Sequence, residues 1–458
     1  MDQKQISVST RLAQTAAIFI ITSIISLLLL SKATPLDWED HFQIGQNLRS
    51  TGTLTIDGVP SIFRPPGFPG FVAASLWVAD TIIPSQSELS PRSTHRDQRI
   101  VVSAQGILLG VMAAALFFWA SLWSGSVVAA GLAISGTLNP YALAIADVAT
   151  SHLLFIVLTM FSTLGLFLSR RFSPSSSGSS ALGAGLLWGL TSLIKPVALI
   201  IPLFVAPLLI FRLPLRTAVR SSALVVIGMV LIVGPYVVRN YLITGQAFVT
   251  AQGGLGFWGS TVERIGPNEA FLVWQPIWWK DGMPIFSRVT GSAEYSNAIQ
   301  NAYALPLNSE FAKQARYNII SEPQIYFYNV RRNFVSFNLD TMSFWNKFLV
   351  AHNKRLVELL SEFWIISMMV LSAAGVIWGC ARNDDSAVTV LTVYMCIVIA
   401  HSISFASELY TISKLPLIVL GFALLVIRLE SAPRYRALAR TIACSMAGLA
   451  LIISILAA

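Results

Sequence analysis

Charge is what this sequence has least of. Only 12% of its 458 residues are Asp, Glu, Lys or Arg, about half the fraction of an ordinary soluble domain, while 55% are hydrophobic. That balance excludes a water-soluble core-and-surface protein and points to lipid as the solvent. Cysteine is scarce as well. Cys380, Cys396 and Cys444 all lie inside apolar stretches, which excludes a disulfide framework and a thiolate metal site. No glycine-rich phosphate loop followed by Lys and Ser or Thr occurs, which argues against nucleotide binding, and no His, Cys, Asp or Glu spacing marks a dedicated metal site. The net charge of +9 does not signal a nucleic-acid partner, because the basic residues sit in short clusters between apolar runs rather than on one face.

What the chain does have is long apolar runs. They fall near residues 13–31, 99–123, 125–142, 150–169, 183–196, 197–211, 222–238, 357–379, 386–405, 413–428 and 441–457. A spanning helix needs about 20 mainly apolar residues with every backbone group paired internally. The pattern therefore predicts an all-α polytopic membrane protein with about eleven transmembrane helices, in a range of ten to thirteen. The first run is long for a signal core and is followed by many more, so it reads as an uncleaved span. Gly183–Phe211 reads either as one tilted helix or as two short spans broken at Pro196, with the break preferred because proline removes a backbone donor.

With the N-terminus in the cytoplasm, the loops bearing Arg170 and Arg171, then Arg212, Arg216 and Arg220, then Arg382, then Arg428, Arg434, Arg436 and Arg440 all face inward, as the positive-inside rule requires. The serine-rich stretch around Pro174 becomes a flexible cytoplasmic linker. The chain then divides into a tail and first span (1–31), a first extracytoplasmic loop (32–98), a bundle (99–240), a second extracytoplasmic segment (241–356) and C-terminal spans (357–458). Both long segments should carry amphipathic interfacial helices and meet above the membrane. Trp274, Trp278, Trp279, Arg331 and Arg332 in the second read as interfacial anchors.

The first loop opens on Asp37-Trp38-Glu39-Asp40-His41-Phe42, about five residues beyond the span. Two readings fit Asp37. It is a favoured N-cap residue for the amphipathic helix that follows. It is also a carboxylate held at the depth where a general base must act on a lipid-borne donor and a polar acceptor. Downstream, Arg64-Pro65-Pro66-Gly67-Phe68-Pro69 places three prolines within five residues, a stiff platform that presents the Arg64 guanidinium to a phosphate or, equally, to a surface carboxylate. Lys195, between apolar stretches, either meets a phosphate at headgroup level or snorkels to the interface. Gly253, Gly254, Gly256 and Gly259 interleave with Phe257 and Trp258, which suits an aromatic stacked on a sugar or a tight turn packing its own rings.

Asp37, Asp40, His41, Asn47-Leu48, Gly52, Gly58, Pro60 and Arg64 to Pro69 together resemble the protein O-mannosyltransferase-like branch of the GT-C glycosyltransferases, relatives of the aminoarabinose transferases of lipid A. Members read Asp-x-x-Asp-Tyr, then Asn-Leu, then Arg-Pro-Pro-Gly-Tyr-Pro, with His41 and Phe68 here replacing the tyrosines. Arg99 with Gln105, Asn139-Pro140, Lys195-Pro196 and the block from Pro235 through Arg239-Asn240-Tyr241 to Trp258-Gly259 extend the likeness over roughly residues 12–260. The resemblance implies an inverting transfer from a polyprenyl-phosphate-linked sugar to a glycan, lipid or protein acceptor at the outer face of a plasma membrane. Asp37 and Asp40 would be the catalytic carboxylates, Arg64, Lys195 and Arg239 would hold the donor phosphate, and His41, Tyr241, Trp258 and Tyr410 would line the substrate or acceptor site. No cofactor is required, although a divalent ion at Asp37 and Asp40 is compatible with the residues. The sequence departs from the pattern at His152, where members carry glutamate, and at Leu409, where they carry arginine, so that a substrate contact is either lost or moved to Lys414. A secondary transporter or flippase, suggested by the break at Lys195-Pro196, and a scaffold that has lost its activity are the rival readings.

Overall fold

The computed structural model describes residues 7–30, 40–82, 91–171, 177–202, 204, 214–262, 281–340, 354–403 and 411–457. Nearly all of them are helical. The N-terminal half runs through α1 (Val8–Leu30), α2 (His41–Thr51), a small hairpin of β1 (Thr55–Ile56) and β2 (Val59–Pro60), α3 (Gly67–Ile82), α4 (Pro91–Ser121), α5 (Ser126–Thr137), α6 (Pro140–Ala146), α7 (Ser151–Arg171), α8 (Ser177–Ile194) and α9 (Leu215–Thr244). The second segment holds α10 (Gly253–Gly259), α11 (Met283–Thr290), α12 (Asn297–Ala302), α13 (Ala304–Ser321) and α14 (Pro323–Leu339). The C-terminal half is α15 (Lys354–Ala381), α16 (Asp385–Ile403), α17 (Leu415–Ser431) and α18 (Arg436–Ala457).

Among the described residues, seven helices are long and apolar enough to cross a membrane, and eight if the pair α5–α6 is one span bent by 49°. This is a multi-pass membrane protein. The expected count of eleven is not reached by this measure, because α7 and α8 fall among the shorter apolar helices and residues 205–213 lie outside the described set. The α5–α6 bend has a local cause. Asn139 leaves the helical region, its side-chain oxygen accepts from the Ala142 amide at 2.9 Å, and Pro140 starts the new helix where no backbone donor is needed. The break after α8 likewise falls at Lys195-Pro196, where a short 3-10 turn over Pro196–Ile200 replaces the α-helix. The boundaries expected at 99, 240 and 357 fall within helices, since charged helix-forming residues continue α4, α9 and α15 beyond their apolar runs.

Two polar clasps hold the end of the bundle remote from the long segments. Glu430 is buried, accepts from the Gly125 amide at 3.1 Å and meets the Arg440 Nε at 3.4 Å. Arg428 of α17 pairs with Asp384 and donates to the Gly375 carbonyl at 2.6 Å. Burial opposes ionisation of Asp384, but the hydrogen bond and charge of Arg428, with the Ser386 and Ala387 amides, outweigh it and hold the carboxyl below its ordinary 3.8. Its stabilisation is present above the unfolded-state value and is lost as pH falls through the lower folded-state value. Asp384→Asn should cost on the order of 1 kcal/mol of stability at pH 7 for a partly exposed pair, and in detergent melts the difference from wild type should shrink as pH falls below the ordinary 3.8.

At the opposite end, α2 and the hairpin sit on α3. Asp57 (φ 48°) and Gly58 (φ 79°) form the left-handed two-residue turn that a tight hairpin demands. Gln43 donates to Asp57 at 2.9 Å and Asn47 to the Thr55 carbonyl at 2.8 Å, fixing the hairpin to α2. A network of Arg49, Asp80, Arg96, Asp97 and Gln46 then ties α2, α3 and α4 together.

A second, small apolar core lies at this end. It joins Ile62 and Phe63 of the first loop to Leu255, Trp258, Met283, Phe286, Leu307 and Phe311 of the second segment. The two long segments therefore do meet. α14 has its polarity inverted: Asn329 and Asn333 face inward and donate to the carbonyls of Ser260, Val262 and Ser402, while Phe327, Tyr328, Phe334, Val335 and Leu339 are exposed. Its outward apolar face is that of an interfacial helix. Lys414, expected to replace a substrate contact, is buried and donates to the Phe337 and Asp340 carbonyls at 2.7 and 2.6 Å, closing the C-terminus of α14. Its charge is spent on orphan carbonyls of a helix end rather than on a ligand.

Candidate active site

Asp37 and Tyr410 lie outside the described residues. Helix α2 starts at His41, so Asp40 rather than Asp37 occupies the cap position. Asp40 adopts a left-handed conformation (φ 57°) and makes no side-chain cap hydrogen bond. Its carboxylate instead faces Arg64, with Oδ2 to Nη2 at 3.9 Å. A non-glycine residue in that region costs about 1 kcal/mol or more and is tolerated where the surroundings fix it.

Arg64 is presented by a loop whose backbone is bound on every side by α9 and the start of the second segment. The Arg239 guanidinium donates to the carbonyls of Ser61 (3.1 Å) and Leu54 (3.2 Å). The Ala251 amide donates to Ile62 (3.1 Å), Thr250 Oγ1 to Phe63 (2.6 Å) and the Tyr236 hydroxyl to Arg64 itself (3.1 Å). Five carbonyls of an irregular loop thus find donors from residues 236–251, which is what a buried non-helical backbone requires. Arg239 is a clasp on this loop, and its donors are directed at protein carbonyls and at Asn240 Oδ1 (2.9 Å) rather than outward to a phosphate. Arg239→Met should keep the stem's packing but free the loop. Faster amide exchange over residues 54–64 and a fall in activity of about 10- to 100-fold are expected, since small misplacements of a positioned group cost that much.

The same loop ends on the bundle. A Cβ at Gly67 would lie 2.7 Å from the Leu193 carbonyl oxygen and 2.3 Å from the Ile194 side chain, so only glycine lets the start of α3 rest on the last turn of α8. That contact brings Arg64 to the same end of the bundle as Lys195, which immediately follows α8. Lys195 is buried, its ammonium contacts His152 Nδ1 and lies 5.7 Å from the centre of the Phe155 ring. The position where the family pattern carries glutamate is therefore occupied by an imidazole that orients a lysine.

The remaining sequence candidates are placed elsewhere. His41 is buried and packs edge-on against Phe68 at 5.6 Å, inside the α2–α3 contact. Trp258 is 1% exposed and packs against Phe311 at 4.9 Å, at the centre of the small apolar core, so its faces are not open to a sugar. Of the glycines around it, Gly254 serves close packing, since a Cβ there would meet the Asn308 carbonyl, while a Cβ at Gly253 or Gly256 would meet nothing. Tyr241 is 55% exposed at the C-terminal end of α9.

One residue escaped the sequence reading. Asp147 follows α6, and its Oδ1 is buried with no hydrogen-bond partner among the described residues. Burial pushes its carboxyl from 3.8 up to about 7. Gln105 holds the turn by donating to the Ala146 and Val148 carbonyls at 2.8 and 2.9 Å. A lone acid between two apolar runs was the available signal, because an uncompensated carboxylate there is costly and seldom idle. Among the described residues no three His, Cys, Asp or Glu side chains converge as a metal site would need.

No family model and no curated protein sequence matches the chain. Solved structures do. The oligosaccharyltransferase AglB of Archaeoglobus fulgidus, determined with an inhibitory peptide and a dolichol-phosphate, superposes with a TM-score of 0.52 over 96% of this chain at 11% identity. ArnT of Cupriavidus metallidurans bound to undecaprenyl phosphate is matched over 93% of this chain and 79% of its own, at 12% identity and a TM-score of 0.44. The chain spans about half the length (55%) of the archaeal enzyme. Its fold is like that of the archaeal oligosaccharyltransferase.

Proposed function

We propose that the protein transfers a sugar from a polyprenyl-phosphate donor to a glycan, lipid or protein acceptor at the extracytoplasmic face of a plasma membrane, with inversion. The observation that carries this is the Arg64 loop, clasped over residues 54–64 by α9 and the second segment and seated by Gly67 on the α8 end beside Lys195. Two cations from separate parts of the chain, held at the bundle end to which both long segments belong, suit a phosphate at the lipid headgroup level. The dolichol-phosphate of the archaeal structure with the same fold supports the choice of ligand.

In the reaction an acceptor hydroxyl or amine attacks the anomeric carbon, the bond from that carbon to the phosphate oxygen breaks, and the lipid phosphate departs with the electron pair. Arg64 and Lys195 stabilise the charge that builds on it, an effect largest in a dry, preorganised site. A carboxylate takes the acceptor's proton. Asp37 fills that role if the proton moves late, since an ordinary aspartate near pKa 4 is a weak base. Asp147 is favoured by a separate observation, its orphaned oxygen and a pKa of about 7, close to the ideal for a base working near neutrality. Asp40 pairs with Arg64 and sets its direction.

Purified protein in vesicles, given a radiolabelled polyprenyl-phosphate hexose and extracted acceptors, separates the alternatives. Labelled acceptor that disappears in Asp37→Asn or Asp147→Asn supports transfer. Movement of intact donor across the bilayer without product identifies a flippase instead.

A further inference from the structure

Helix α4 is one of the apolar spanning helices, yet it carries a glutamine on its buried face. Gln105 is fully buried on the side that also buries Val101, Val102, Leu109 and Met112. An unpaired amide in such a place is costly. Both amide hydrogens are engaged: Nε2 donates to the Ala146 carbonyl at 2.8 Å and to the Val148 carbonyl at 2.9 Å. The two acceptors flank a single residue, Asp147.

The turn so gripped joins α6 to α7. Its own backbone bonds lie to either side of the carboxyl. The amides of Asp147 and Val148 donate back to Leu143 (2.9 Å) and Ile145 (3.2 Å), closing the end of α6, and the Thr150 amide donates to Val148 (2.7 Å), closing the approach to α7. Gln105 bridges the two sides from another helix, and α4 itself packs on α5, α6 and α7. The turn is thereby tied to a spanning helix that three neighbours hold. Satisfying orphan carbonyls at the end of α6 would need a donor to each. A single amide straddling residue 147 does more, since it fixes one peptide unit relative to the other. Burial is the cause of the raised pKa of Asp147, with no charged side chain among the described residues contributing. The character of this carboxyl therefore depends on where it is held.

We propose that Gln105 is the positioning residue of the reaction's base: its amide, clamped on the two carbonyls that flank residue 147, keeps Asp147 Oδ1 in its buried place, ready for the acceptor's proton. The assignment rests on the reading of Asp147 as that base.

The test uses the full-length protein in nanodiscs, with a radiolabelled polyprenyl-phosphate hexose and extracted acceptors, and follows transfer and melting against pH. Gln105→Met keeps the length and apolar stem of the side chain and removes both donors. kcat should fall about 10- to 100-fold, with KM for the donor little changed. The midpoint of the rate against pH should move down from about 7 towards the ordinary 3.8, as the released carboxyl reaches water. A readout without activity accompanies it: the gain in stability at pH 8 from Asp147→Asn should be smaller in the Gln105→Met background than in wild type. Gln105→Asn, one methylene too short to reach both carbonyls, should be intermediate on each count, and it carries the test if Gln105→Met does not fold. A glutamine that serves folding alone would lower the melting temperature and leave both the midpoint and the gain from Asp147→Asn as in wild type. That result overturns the assignment while Asp147 remains the base. A wild-type rate that is flat through pH 7 removes Asp147 from the reaction and this assignment with it, while labelled product still establishes transfer.

Discussion

Asp147→Asn is expected to lower transfer about 10²- to 10⁴-fold, the range for loss of a positioned general base, and to abolish the dependence of the wild-type rate on pH near 7. In wild type the rate should rise as pH passes through about 7, where the buried carboxyl ionises. The substitution is nearly isosteric, and Gln105 holds the turn through backbone carbonyls that it leaves untouched. Folding supplies an internal control. Because the folded-state pKa of Asp147 lies above the ordinary 3.8, its contribution to stability is fully present below that value and is lost as pH rises through about 7. Asparagine suffers no such loss, so Asp147→Asn should melt higher than wild type at pH 8 and equal to it near pH 4. A variant more stable yet inactive at pH 8 has lost chemistry and not structure. Should Asp37 be the base instead, Asp37→Asn will abolish transfer, Asp147→Asn will retain it, and the wild-type rate will be flat from about pH 5 to 9, since an unperturbed aspartate is ionised throughout.

Arg64→Gln should reduce kcat about 10²- to 10³-fold, as removal of one preorganised donor from a developing anion does elsewhere, with a smaller effect on KM for the donor. Glutamine keeps a donor but no charge. The loop should remain in place, because the carbonyls of residues 54 and 61–64 are held by Arg239, Tyr236, Thr250 and the Ala251 amide and not by the Arg64 side chain. Arg64→Lys should restore only part of the activity, since an ammonium supplies a point charge without the planar fork. A full rescue by lysine would mean that Arg64 acts through net charge alone.

The architecture was largely legible in the sequence because hydrocarbon imposes so narrow a choice on the backbone. Most of the apolar runs and the proline at 196 predicted a helix or a break that is found, whereas the bend at Asn139-Pro140 falls inside a run read as continuous. The meeting of the two long segments was legible too, and the small core built on Phe63, Trp258 and Phe286 is its physical form. The division of labour within the site was not. Arginine beside a membrane reads the same whether its donors go to a phosphate or to protein carbonyls, and only the fold reveals that Arg239 reaches the carbonyls of Leu54 and Ser61, far away in sequence. Trp258 and His41 illustrate the converse. The glycines and aromatics around Trp258 suit a ligand site and His41 follows a motif, but both side chains are buried in packing contacts. Asp147 was missed because a single acid in a short connection has no partner residue at any fixed spacing, and its character comes from burial, which sequence does not display.

The central claim is that a lipid phosphate is bound between Arg64 and Lys195, at the end of the bundle where the two long segments meet. Electron cryomicroscopy of the protein in nanodiscs with a polyprenyl phosphate tests it most directly. The account predicts phosphate density within hydrogen-bonding distance of the Arg64 guanidinium and the Lys195 ammonium, with the lipid tail leading away along the helices. Phosphate density at the opposite end, near the Asp384–Arg428 pair, or midway along the bundle with Arg64 and Lys195 untouched, would contradict it.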